Sequence, residues 1–261
     1  MNVRYRSILL ALVACLMAVS LASPAFAADK MDKGKTEHNI ASIWVIWAKH
    51  GQAKAFEEGL KKHAAWRKGA GDPFTWHIYQ PVVGSDLNFY LIRSGDHTWG
   101  DMDSEHEWAT KNDASGHFWN DVGQHVKYEK HFFGVTPTEY EHWIKSKDYR
   151  YYGVSRYQFK SGHGADVRDV MKKVHDAVTK QKWPYSFSFE YQVGGSGGMS
   201  IITPMKNYAE MADPSPSLME VMTKALGSKQ AAEKLFDKFS AAIKKRHYTV
   251  YMHRPDLSTP E

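Results

Sequence analysis

The stretch Ser42 to Arg93 recurs as Gly153 to Pro204, displaced by 111 residues without a gap. Identical pairs include Lys49/Lys160, Gly51/Gly162, Lys61/Lys172, Pro73/Pro184, Val82/Val193 and Gly84/Gly195. Glu58/Asp169, Leu60/Met171, Phe74/Tyr185 and Trp76/Phe187 agree in chemical type. A pattern repeated at that distance means that one structural unit is used twice, so whatever fold the first copy takes must also suit the second.

Each copy changes its hydrophobic period in the same order. Ala41 to Lys49 is β-branched and aromatic and reads as a strand. Gln52 to Lys68 sets Phe56, Leu60, His63 and Ala64 at helical spacing. Phe74 to Val82 and Leu87 to Arg93 flank the turn Gly84-Ser85-Asp86 and read as a hairpin. Thr98 to Lys111 and Ser115 to Lys130 look helical, with a short fourth strand expected over Thr138 to Trp143. The second copy reads as a strand over Tyr151 to Lys160, a helix over Ala165 to Gln181 and strands over Tyr185 to Val193 and Met199 to Thr203. Helices over Ser217 to Leu226 and Lys229 to Lys245 then precede a strand over His247 to His253.

The order βαββαβ, twice, predicts an α+β chain of two tandem ferredoxin-like units, residues 39–146 and 147–254, with 255–261 as a C-terminal tail. Each unit leaves one apolar sheet face bare. Packing sheet to sheet covers both and encloses a barrel interior. This layout resembles the dimeric α/β-barrel superfamily, which includes antibiotic-biosynthesis-type monooxygenases, NIPSNAP-like domains and chlorite-dismutase-type haem proteins. The resemblance rests on element order and duplication, and it implies the fold more than an activity.

The N-terminus has Arg4 and Arg6, an apolar run from Ile8 to Leu21 and then Ala25-Phe26-Ala27. That is the layout of a secretory signal over residues 1–27, followed by a charged leader over 28–38. The expected product is periplasmic or secreted. A lipoprotein signal ending at Cys15 is the less favoured rival, because its apolar segment is short and apolar residues continue beyond it. Cleavage at Ala27 removes Cys15, the sole cysteine, so neither a disulfide nor a thiol nucleophile is available to the mature chain.

The formal charge of +5 falls to +3 with the loss of Arg4 and Arg6, and the remaining charges are interspersed, which argues against nucleic acid as a partner. Lys244-Lys245-Arg246 reads as the solvated end of a helix. No second apolar run approaches a membrane span.

Strand parity locates candidate chemistry. Phe74, Trp76 and Ile78 match Tyr185, Phe187 and Phe189, so this face is expected to meet the helices in both copies; Thr75, His77 and Tyr79 then face inward, with Ser186, Ser188, Glu190 and Gln192 opposite. The same offset sets Val45 and Trp47 against Arg156 and Gln158. Arg156 and Glu190 are expected on neighbouring strands, either as a structural ion pair or as the polar end of an aromatic pocket. The candidate ligand-binding set is therefore Trp47, His77, Tyr79, Arg156, Gln158 and Glu190, with His77 as the candidate acid or base.

Asp96 to Glu107 is rich in His, Asp and Glu but lacks metal-ligand spacing; it reads as an acidic helix start, and no metal site is expected. Gly194 to Gly198 joins two strands and is a turn, not a phosphate loop. Three functions stay open: a barrel holding a small apolar or aromatic ligand, a cofactor-independent or haem-dependent oxidoreductase, and an interaction module without a small-molecule site. For a haem branch, His175 and His77 are the available imidazoles, and neither is singled out by position. Further oligomerisation through the sheet edges is allowed.

Overall fold

The structure is a computed structural model that describes residues 37–146 and 148–260. The expected signal, Cys15, most of the leader and the boundary residue Lys147 lie outside the described residues. None of the described helices is long and apolar enough to cross a membrane.

The first half contains β1 (Ile40–Ala48), α1 (Ala53–Gly69), β2 (His77–Val83), β3 (Phe89–His97), α2 (Trp99–Lys111), α3 (Ala114–Asp121) and β4 (Val126–Val135). The second contains β5 (Tyr151–Phe159), α4 (Gly164–Lys180), β6 (Ser188–Val193), β7 (Met199–Met205), α5 (Leu218–Leu226), α6 (Lys229–Ala242) and β8 (Ile243–His253). All strand pairs are antiparallel, and the strands close a barrel in the order β1-β3-β2-β8-β5-β7-β6-β4. The circle reads as β4-β1-β3-β2 followed by β8-β5-β7-β6. The two runs are stitched at β2–β8 and β4–β6 rather than stacked as separate sheets. Closure pairs the edge strands that an open sheet would leave free.

Helices cover the outside. Phe56 and Leu60 of α1 pack on Trp76, Ile78, Ile46 and Ala48, while Val167, Val170, Met171 and Val174 of α4 pack on Phe187, Phe189 and Met199. Gly59 lets the end of α3 approach α1, since a Cβ there would overlap the Asp121 carbonyl. Thr98 caps α2 with a capping box closed by Asp101, as an acidic helix start requires.

Three expectations are corrected. The first unit's last strand is Val126–Val135, not Thr138 to Trp143, and the helix before it stops at Asp121. Val126 to Val135 lies beside the whole of β1, and that ladder outweighs the helical spacing of its apolar residues. Lys244, Lys245 and Arg246 lie on β8 rather than on a helix, because the ladder with β5 begins at Ile243. Tyr185 is exposed and hydrogen-bonds the backbone at Ser215 instead of meeting the helices. The segment after β8 is structural: Leu257 is fully buried, and Ser258 and Thr259 hydrogen-bond Ile78 and Trp76 of the β2 approach.

Candidate functional site

Strand alternation gives the barrel a packed outside and a wetter lumen. On β5, Tyr151, Ser155 and Tyr157 are buried on the outer face, whereas Tyr152, Val154, Arg156 and Gln158 are only half-buried inside. Ile43 and Val45 of β1 supply an apolar wall opposite.

At one mouth lies an open cleft of about 490 Å³, lined by Thr75, His77, Tyr79, Arg93, Ser94 and Asp96 among others. His77 pairs with Arg93 across the β2–β3 ladder, and Tyr79 pairs with His253 across β2–β8. The His253 ring stands 5.4 Å from His77 and 5.1 Å from Tyr79, and Tyr152 meets Tyr79 edge-on at 5.2 Å. Arg93 Nη2 donates to Glu190 Oε2 at 3.2 Å from the far side of the lumen. Gly95 and Gly134 make room for this pair, since a Cβ on either would overlap the Arg93 guanidinium or the Glu190 carboxylate.

Although His77 is open to water, walls of protein surround it. Desolvation, helped by the nearby Arg93 charge, lowers its pKa and favours the neutral ring. His253 is lowered by burial and by His77. Burial raises Tyr79, with Glu190 adding to the effect and Arg93 opposing it, so its hydroxyl stays protonated. Burial disfavours the charge on Arg93, but Glu190 together with Tyr79 and Asp96 more than offsets this.

Of the six sequence candidates, His77, Tyr79 and Glu190 converge on the Arg93 cluster. Arg156 faces the same lumen, 5.6 Å over the Phe132 ring. Its expected pairing with Glu190 is corrected: β7 separates β5 from β6, and Glu190 is held by Arg93. Trp47 lies elsewhere. It opposes Phe89, four residues along β3 from Arg93, or roughly 13 Å at strand rise. There it donates to Asp86 and lies under Lys130. Gln158, opposite Lys245 on β8, is at that same end. Arg93 and His253 were missed. Hairpin parity from His77 would have found Arg93, while His253 needed the β2–β8 pairing, which no local pattern reveals.

A slightly larger groove, about 560 Å³, lies outside the barrel at the start of α1. Its Lys54 and Lys62 are matched by Glu58 and Asp121, and it is remote from the lumen cluster. Among the described residues no three His, Cys, Asp or Glu side chains are placed to share a metal ion.

The residues present do not fit haem. A tetrapyrrole needs an apolar slot ending at an imidazole. The cleft that holds His77 is polar, and the apolar layer between α4 and its strands is filled by Met171, Phe187, Phe189 and Met199. His175 of α4 has a buried Nδ1 without a partner, but the helix that carries it packs on that filled layer.

No family model and no curated protein matches the sequence. Solved structures do match. A candidate monooxygenase from Fusobacterium nucleatum superposes with a TM-score of 0.54 at 8% identity, over 84% of this chain and 94% of its own. A candidate monooxygenase from Lactobacillus acidophilus gives 0.51 at 11%, over 85% and 96%. A chlorite dismutase variant from Candidatus Nitrospira defluvii gives 0.52 at 11%, over 85% and 93%. The chain therefore has the fold of the dimeric α/β-barrel superfamily.

Proposed function

We propose that the chain is a small-molecule oxidoreductase of the monooxygenase-like kind, working in the barrel lumen on a flat aromatic substrate with dioxygen as the oxidant. The observation that carries this reading is the convergence of the His77 imidazole, Tyr79 and Arg93 on one water-open cleft, with a second imidazole, His253, packed against His77 and Tyr79. Such groups suit proton abstraction from an acidic phenol or activated C–H. His77, neutral at pH 7, accepts the proton; Arg93 stabilises the anion left behind; Tyr79 and Tyr152 offer an aromatic wall. Support also comes from the folds named above and from an anthrone oxidase-like protein that superposes at a TM-score of 0.51 and 8% identity.

The test is oxygen uptake and product mass with anthrones and polycyclic phenols, using residues 28–261. His77→Ala should lower the rate by about 100-fold or more, the usual share of a general base. If uptake never exceeds the spontaneous rate while the same compounds quench tryptophan fluorescence, the chain binds them without reaction. That second reading is favoured by the half-buried lumen face of β5.

Two further proposals accompany this one. The 111-residue offset and the doubled strand order support an origin as two fused ferredoxin-like units. The charge, apolar core and Ala25-Phe26-Ala27 order support export with cleavage after Ala27.

A further inference from the structure

Two arginines reach into the lumen, and a carboxylate is bonded to only one of them. Arg93 is held by Glu190 through Nε and Nη2. The Arg156 side chain, among the described residues, has no hydrogen bond and no ion pair; it lies over the face of Phe132. Glu190 is near enough for Arg156 to feel its charge, yet it is committed to Arg93. Tyr251 lies close by with its hydroxyl pushed up to about 12 by burial, so it stays a neutral donor and cannot neutralise the guanidinium.

The fold does not require a cation here. The equivalent position in the first half of the chain is Val45, which is buried in the lumen wall without difficulty. A half-buried guanidinium has lost much of its water, and one ring face returns only a small part of that loss. What would complete it is a planar oxyanion, which a guanidinium can bind through two parallel N–H bonds.

We infer that the lumen takes an organic monoanion, an aromatic ring bearing a carboxylate or a comparable oxyanion, with the acid group on Arg156 and the ring against Phe132. The inference rests on the lumen being the ligand site, as proposed above, and it names the class of molecule. Two guanidinium charges against one carboxylate leave room for a single negative charge.

The probes are 1-naphthoate and its neutral isostere 1-naphthamide, titrated at pH 8 by calorimetry. Naphthoate should bind at least tenfold more tightly. Arg156→Gln should abolish that preference with an unchanged or higher melting temperature, since no hydrogen bond is lost, and Arg156→Lys should keep part of it. Glu190→Gln, which releases Arg93, should strengthen naphthoate binding. Equal binding of the two probes, or a preference that survives in Arg156→Gln, overturns the anion site but leaves the lumen as a binding site. Failure of both probes to bind overturns the anion site and the lumen reading together. An Arg156→Gln chain that does not fold also overturns the inference, because it makes Arg156 structural.

Discussion

Arg93 on β3 and Glu190 on β6 meet across the barrel, Nη2 to Oε2 at 3.2 Å, although three hydrogen-bonded strand pairings separate their strands around the circle. The pair ties one half of the chain to the other through the lumen, and its side chains are 33% and 15% exposed. It is thus partly desolvated, and taking away one member leaves the other without its partner.

Gly134→Ala tests the pair without touching either charge. The new Cβ would stand 2.5 Å from Glu190 Cδ, so the carboxylate must swing off Arg93. Because the obstacle is the end of a flexible side chain, the cost should be the lost pair, about 1–2 kcal/mol, and not backbone strain. In a Glu190→Ala background the same substitution should cost almost nothing. Urea denaturation of the four chains in the cycle checks this.

Acid should weaken the fold through His63. This ring is 7% exposed, its Nδ1 has no partner, and burial followed by the charges on Arg67 and His117 lowers its pKa to about 3. The folded chain therefore refuses a proton that the unfolded chain accepts near pH 6.5. The stabilisation is complete above about pH 6.5 and falls on acidification by about 1.4 kcal/mol per pH unit until about pH 3. His77, His97, His131 and His253 are lowered as well and act in the same direction. The difference between wild type and His63→Leu in urea midpoints at pH 7 and pH 5 isolates His63, and the variant should lose less stability over that interval.

The repeat and its hydrophobic periods were enough to read most of the elements, and parity within β2, β5 and β6 placed His77, Tyr79, Arg156 and Glu190 on the lumen side. Those are local properties, carried by residues i and i+2. What stayed hidden is non-local. The order β5-β7-β6 decides that Glu190 cannot sit beside Arg156, and the β2–β8 seam decides that His253 joins His77. β4 was hidden for a different reason: its periodicity alone looked helical, and only its pairing with β1 makes it a strand.

The end of the chain should prove part of the core. Leu257 is fully buried in the cluster with Phe56, Trp76 and Ile78, and Arg254 clasps Glu57 of α1 through two bonds of 3.0 Å. Leu257→Ala should cost about 2–5 kcal/mol, the usual range for a buried leucine. Deleting residues 255–261 should do at least as much harm, because the backbone partners of Trp76 and Ile78 leave with it. Thermal melts of both variants against wild type supply the comparison, and a deletion that melts like wild type would contradict the packing.

The imidazole of His77 should report the charge on Arg93 directly. Burial is the larger cause of its lowered pKa and Arg93 the second. Arg93→Met removes that positive charge and also frees the Glu190 carboxylate, and both changes favour the protonated ring. The pKa of His77 should therefore rise in the variant, towards the ordinary imidazole value of about 6.5. A proton NMR titration of the imidazole C2–H, assigned by its loss in His77→Gln, measures this without reference to any substrate. In the wild type the signal should titrate below pH 6.5, leaving the ring neutral and able to accept a proton at pH 7. If the pKa is unchanged in Arg93→Met, the two side chains are not electrostatically linked. Arg93 then has no charge-based role beside His77, and the proposed division of labour between base and anion stabiliser fails.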